Sequence, residues 1–248
     1  MDRFTRVKLL IGEAKWQRLN QSRVTVIGLG AVGSYAVEAL ARGGVGHLRL
    51  VDFDTIRASN INRQLFALES TVGKTKPEVA ARRVKDINPD CVVEPLEIFA
   101  AEDSFNAILD NQPHLVIDAI DAVNPKVQLL TALHQRGVPM IASMGAAVRT
   151  DPAAIRFGDL FSTKNCPLAK VVRYRLKRRG INSGIPCVYS EEPDYQSKYP
   201  SIREENPEDA YQRGRKRQVL GSLPTITGIF GLTVGHKAME MLCAGFER

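Results

Sequence analysis

The sequence predicts an α/β fold: a Rossmann-like, doubly wound, mainly parallel sheet with helices on both faces and a C-terminal extension. Three observations predict it. From Arg23 to about Ala147, five short apolar runs alternate with helical patterns, which is the signature of stacked βα units. The first run ends in GLGAVG (Gly28 to Gly33), a glycine-rich turn between strand and helix. The second ends in VDFD (Val51 to Asp54), which puts Asp52 about 20 residues after the last glycine, where a carboxylate meets the ribose of a bound nucleotide.

The strands are read as RVTVIGLG, HLRLVDFD, CVVEPLE, HLVIDAID and PMIASMG. Between them, AVGSYAVEALARGG is a helix stopped by Gly43 and Gly44. PEVAARRVKDIN is a second, opened by Pro77 and closed by Asn88 and Pro89. EDSFNAILDN is the third, and PKVQLLTALHQRG, closed by Gly137, the fourth. Beyond Asp151, AAIRFGDL reads as a further strand and LAKVVRYRLKRRG as a strongly basic helix. Residues 182–217 are rich in Pro, Ser, Glu, Tyr and Arg without a period, so a long loop is expected. LPTITGIFGLTVGHKAMEMLCAG reads as a packed C-terminal helix, because His236, Lys237 and Glu240 interrupt its apolar run. The expected division is a nucleotide-binding core with an N-terminal helix over residues 1–162. Residues 163–248 then supply the basic helix, long loop and C-terminal helix, packed on the same domain.

A chain of 248 residues with 44 % hydrophobic content can bury a real core without staples. Its charge of +7 and pI of about 9.3 make a polyanionic partner worth testing. Cys91, Cys166, Cys187 and Cys243 are scattered with no CxxC pair, which argues against a zinc site or a thioredoxin-like motif. Reduced thiols and a cytoplasmic location are expected. The charged N-terminus does not read as a signal peptide, and no membrane association is expected.

The glycine turn and Asp52 alone do not separate NAD from ATP. The stretch SNINRQ (Ser59 to Gln64) does. Asn60 and Arg63 follow the ribose carboxylate closely enough to reach the same nucleotide, and a guanidinium there suits a triphosphate under attack at phosphorus. VGKTK adds Lys74, read as a solvated side chain, and Lys76 just before Pro77. Hydride transfer does not need this concentration of positive charge, whereas in-line displacement of pyrophosphate does. IDAIDAVNPK places Asp118 and Asp121 at the carboxyl edge of the sheet, where either suits Mg2+ and Asp121 is preferred. The candidate nucleotide set is therefore Gly28, Gly30, Ala31, Gly33, Asp52, Asp54, Asn60, Arg63 and Lys76.

In this order, RFTR, GLGAVG, VDFD, SNINRQ, VGKTK and DAIDAVNPK resemble the ubiquitin-activating-enzyme superfamily, the ATP-dependent adenylating enzymes that include bacterial activators of sulfur-carrier proteins. The resemblance covers roughly Asp2 to Ser162. It implies that Asp52 binds the ribose of ATP, that Asn60, Arg63 and Lys76 hold the phosphates, and that Asp121 works with Mg2+. It also implies a homodimer in which Arg6, in RFTR, reaches the ATP of the partner. Ala31 stands where the family often has a further glycine, and the paired CxxC zinc ligands of many members are absent. From Ser143 to Pro193, SMGAAVRTDPAAIRFGDL, NCPLAKVVRYRLKRRGI and CVYSEEP resemble the branch of tRNA threonylcarbamoyladenosine dehydratases, which cyclise a modified adenosine beside the anticodon. That resemblance implies an acyl-adenylate of the side-chain carboxylate, closed by a nitrogen of the same side chain.

The charge pattern bears on RNA independently. Lys170, Arg173, Arg175, Lys177, Arg178 and Arg179 are six cations in ten residues with no acid, and Arg213, Arg215, Lys216 and Arg217 follow in RGRKRQ. Such clusters neutralise phosphates, as an anticodon arm would require, although a solvated basic face reads equally well. Tyr174 is either a stacking residue or a core residue. Cys187 is expected in the long loop, near where thioester-forming members keep their cysteine, with a structural thiol the plainer reading. The rival readings are an adenylyltransferase of a ubiquitin-like sulfur carrier, an NAD-dependent dehydrogenase, and a nucleotide-regulated RNA-binding module. A docking sulfur-transfer or redox protein stays open.

Overall fold

The structure is a computed structural model that describes residues 2–193, 202–203 and 218–244. Two short helices, α1 (Thr5–Ile11) and α2 (Glu13–Gln21), lead into β1 (Arg23–Ile27), α3 (Gly33–Gly43), β2 (His47–Val51), α4 (Lys76–Ile87) and β3 (Val92–Leu96). The one-turn α5 (Phe105–Ile108), β4 (Leu115–Asp118), α6 (Val123–Gln135) and β5 (Met140–Ser143) follow. The second half adds β6 (Ile155–Asp159), α7 (Pro167–Lys177), β7 (Pro186–Ser190), an antiparallel ribbon of β8 (Ile202–Arg203) and β9 (Gln218–Val219), and α8 (Pro224–Ala244).

Seven strands form one sheet in the order β3-β2-β1-β4-β5-β7-β6, parallel except for the antiparallel edge strand β6. Alternation along the strands sends side chains to two cores. Val24, Val26, Leu115 and Ile117 face Val37 and Leu40 of α3, Val84 of α4, and Phe230 and Val234 of α8. Ile27, Val116 and Ala142 face Leu129, Leu130 and Leu133 of α6 and Val172 and Leu176 of α7. Helices on both faces are what a parallel sheet, apolar on both sides, demands. No helix among the described residues is long and apolar enough to cross a membrane.

One expectation is corrected. Within the stretch read as a long loop, residues 186–190 form β7, an interior strand that pairs with β5 through Ala142↔Cys187 and with β6 through Phe157↔Val188. A five-residue strand buried on both faces shows no alternation, so only its apolar content could have revealed it. Cys187 accordingly sits in the middle of the sheet and not in a loop.

The ends of the central strands define where chemistry can occur. Ile27 is opposite both Val51 and Asp118, and Asp118 is opposite Ala142, so β1, β2, β4 and β5 finish together at one edge. From β1 the chain crosses toward β2, and from β4 it crosses the other way toward β5. The crevice between them is the switch point at which open α/β sheets bind ligands.

Candidate functional site

Two glycines of the first turn are required by the fold. Gly28 has φ 89°, and a Cβ there would lie 2.8 Å from the Ala119 carbonyl; at Gly33 a Cβ would lie 1.8 Å from the Gly28 carbonyl oxygen. Gly30 is different. Its nearest neighbour would be the Gln64 amide nitrogen at 3.8 Å, so the side where a Cβ would point is open toward the crevice. Glycine at 30 leaves room for something outside the protein, as close approach of a phosphate would require. Ala31 completes the turn, half-buried, before α3 begins.

Asp52, just past β2, is buried and oriented by the backbone. Its Oδ2 accepts from the Leu29 N–H at 2.7 Å and its Oδ1 from the Asp54 N–H at 2.9 Å. A carboxylate has about four acceptor positions, so lone pairs remain for ribose hydroxyls. Lys76 opens α4, where Thr75 is the N-cap, and its ammonium is nearly enclosed. It donates to Asp54 Oδ2 at 2.9 Å and lies 3.7 Å from Asp52 Oδ2. Two carboxylates compensate the buried ammonium, which one alone would do poorly. Asp54 is thus the anchor of Lys76, a pairing the sequence did not suggest.

SNINRQ folds over the glycine turn. Ala58–Asn60 form a 3-10 turn, the Asn60 carbonyl accepts from the Arg63 and Gln64 amides, and Asn60 Oδ1 accepts from the Arg57 amide. Arg63 donates to the Ser59 carbonyl and to Asn62 Oδ1, both at 2.8 Å. The Leu65 amide donates to Ser34 Oγ at 3.1 Å, fixing the segment to the first turn of α3. Ser34 and Gln64 were absent from the sequence-derived set, and only their contact with the glycine turn reveals them. Lys74 is exposed, as read from the sequence.

Asp118 and Asp121 part ways. Asp118, at the end of β4, is wholly buried: it accepts from Lys126 Nζ at 2.6 Å and from the Ile120 N–H at 3.0 Å. Burial pushes its carboxyl above the ordinary carboxylate value, against the opposing Lys126 ammonium. Committed and closed to solvent, it is not available to a metal ion. Asp121 sits exposed at the rim, in the turn that leads to α6.

Arg6 is not brought to this crevice. Phe4 lies against Gly44, which follows the last residue of α3, and Arg3 donates to the carbonyl of Ile87, which ends α4. Both helices run back from the carboxyl edge, so α1 lies at the opposite end of the sheet. Arg6 is exposed there with no hydrogen bond or ion pair among the described residues, and Leu9 and Leu10 beside it are 82 % and 86 % exposed.

The basic helix borders the crevice. α7 begins next to the end of β5, where Cys166 Sγ would be 3.7 Å from a Cβ on Gly145. Arg175 donates to Asn124, three positions after Asp121. The six cations fall into two sets. Arg173 turns inward to the Thr163 carbonyl and hydroxyl, while Arg175 and Arg179 hold Asn124 and Thr131 of α6. Lys170, Lys177 and Arg178 face solvent. Tyr174 is exposed as well and has no place in the core. Arg213, Arg215, Lys216 and Arg217 lie outside the described residues.

Arg149 lies in no motif that marks it in the sequence. Buried, it donates to the carbonyls of Glu192, Pro193 and Asn165, tying the end of β7 to the start of α7. Glu192 accepts from the amides of Thr150 and Asp151, and these backbone bonds hold its carboxyl below the usual range against the raising effect of burial. Cys187 is fully buried and its thiol is pushed up to about 12 by burial, so it stays neutral and is no nucleophile at neutral pH.

The model of the ThiF family matches residues 3–246. The chain belongs to the ThiF family. This ThiF-family chain is 38 % identical to the tRNA threonylcarbamoyladenosine dehydratase of Bacillus subtilis over 98 % of its own length and 95 % of that protein's. The crystal structure of E. coli tRNA N6-threonylcarbamoyladenosine dehydratase in complex with ATP superposes with a TM-score of 0.86 at 33 % identity, covering 98 % of this chain and 94 % of the other. The molybdopterin-synthase adenylyltransferase of Salmonella typhimurium is 36 % identical, over 54 % of this chain and 53 % of its own.

Proposed function

We propose that this chain is an ATP-dependent tRNA threonylcarbamoyladenosine dehydratase. The observation that carries the reading is adjacency: the switch-point crevice with Asp52, Lys76, Asn60, Arg63 and Asp121 adjoins a basic helix through the Arg175–Asn124 contact. Similarity to the dehydratase of B. subtilis runs along nearly the whole chain, whereas similarity to the adenylyltransferase runs along about half of it, which supports the same acceptor as the dehydratase.

The carboxylate of the threonylcarbamoyl side chain attacks the α-phosphorus of ATP, the bond to pyrophosphate breaks, and an acyl-adenylate forms. A nitrogen of the same side chain then attacks the acyl carbon, AMP leaves, and the ring closes with the net loss of one water. Asp52 accepts the ribose hydroxyls, and the turn from Gly28 through Gly30 and Ala31 to Gly33 presents backbone to phosphate. Asn60, Arg63 and Lys76 stabilise the charge that develops at phosphorus. Arg6 of a second copy adds to that charge in a homodimer, since its own crevice is at the far end of the sheet.

The residues present fit Mg2+ carried by the nucleotide. Asp118 is taken by Lys126, and no group of three or more His, Cys, Asp or Glu among the described residues could cage a metal. One exposed carboxylate, Asp121, with phosphate oxygens and water completing the shell, is how this ion is ordinarily held beside ATP. When bound it supplies charge neutralisation at the phosphates. Release of AMP from ATP with bulk tRNA tests the proposal. Dependence on intact tRNA is expected. AMP release independent of tRNA, but requiring a ubiquitin-like carrier protein, would overturn it.

A further inference from the structure

Helix α7 buries Ala169, Val172 and Leu176 and turns its other side to water. At about 100° per residue, Tyr174 stands nearly opposite the middle of the buried face. It is 62 % exposed, so its ring contributes little to the core. Lys170 lies one turn before it, and Lys177 and Arg178 one turn after. The Arg178 guanidinium is 5.9 Å from the ring centroid. Arg173, Arg175 and Arg179, each bonded to neighbouring oxygens, lie off this stripe.

An exposed aromatic with cations one helical turn to either side, none of them ion-paired among the described residues, matches the chemistry of a splayed nucleotide, whose base offers a π-face and whose flanking phosphates offer negative charge. We infer that Tyr174 stacks on an unpaired base of the RNA substrate, with Lys170, Lys177 and Arg178 on the phosphates either side. This rests on the RNA reading above. A duplex keeps its base faces stacked, so the occupant is a single-stranded loop. A second copy of the chain would not need cations one helical turn to either side of an exposed ring.

The test uses the full chain, an RNA hairpin whose unpaired loop carries 2-aminopurine moved position by position, and a blunt RNA duplex of equal length. Wild type is expected to quench the probe at a loop position. Tyr174→Ala is expected to bind the hairpin about tenfold more weakly, lose the quenching and bind the duplex as before, while Tyr174→Phe and Tyr174→Trp keep both signals. Unchanged hairpin affinity and quenching in Tyr174→Ala would overturn the inference while leaving the RNA reading intact. Equal losses on hairpin and duplex, or a shift in sedimentation of the variant without RNA, would overturn it in favour of a structural or self-association role. Failure of wild type to bind either RNA would sink the RNA reading and this inference with it.

Discussion

Replacing Lys126 with methionine probes the turn that carries Asp121. Asp118 and Lys126 are both wholly buried at 2.6 Å, and the remaining bond of Asp118 goes to the Ile120 amide inside that turn. Lys126→Met leaves a carboxylate in low dielectric with one donor, and such orphaned charges cost about 3–5 kcal/mol. That is a large share of a typical folding stability of about 5–15 kcal/mol. The sign of the pH dependence follows from proton binding. Burial already holds the folded Asp118 carboxyl above its ordinary 3.8, so the folded chain binds this proton more readily than the unfolded chain. The group therefore favours folding most at low pH, and that contribution is lost as pH rises above 3.8. Removing Lys126, which opposes the shift, pushes the folded value further up. The deficit of Lys126→Met relative to wild type is thus smallest at acid pH and grows toward neutrality. Urea unfolding followed by circular dichroism across that range measures it. The double variant Asp118→Leu/Lys126→Met, with neither charge, should recover most of the loss. A deficit that is flat with pH, or a double variant as unstable as the single one, would rule out a stranded Asp118 carboxylate as its cause.

Gly30→Ala should fold like wild type and bind ATP at least about fivefold more weakly, whereas Gly33→Ala, whose methyl would strike the Gly28 carbonyl, should lose more than about 2 kcal/mol of stability. Calorimetry of both variants separates the ligand's glycine from the fold's. Asp121→Ala should abolish AMP formation and hold ATP affinity within about twofold; AMP formation that persists would remove Asp121 from the chemistry. Cys187 should resist iodoacetamide at pH 8 in the folded chain and react once unfolded, because burial pushes its thiol to about 12. Peptide mass analysis showing native alkylation would contradict that placement.

Much of the fold was legible because alternating apolar runs and glycine stops state the βα order directly, and GLGAVG, VDFD and SNINRQ, singled out in the sequence, do meet at one edge of the sheet. What escaped depends on long-range placement. CVYS in β7 is too short and too uniformly buried to show a period, so Cys187 was read into a loop. GxGxxG does not say which of its glycines packing requires; the Ala119 and Gly28 carbonyls decide it for Gly28 and Gly33. The helical period separates Lys170 and Tyr174 from Arg173 once the buried face of α7 is known. Even then the period does not reveal that Arg175 and Arg179 reach α6. The Asp118–Lys126 pair and the Arg149 hub join residues whose proximity exists only after folding.

The most direct test of the dehydratase activity is the mass of the modified adenosine recovered from tRNA after incubation with the chain, ATP and Mg2+. A nucleoside lighter by one water, formed in step with AMP, is expected. Production of AMP while the threonylcarbamoyladenosine mass stays unchanged would contradict it.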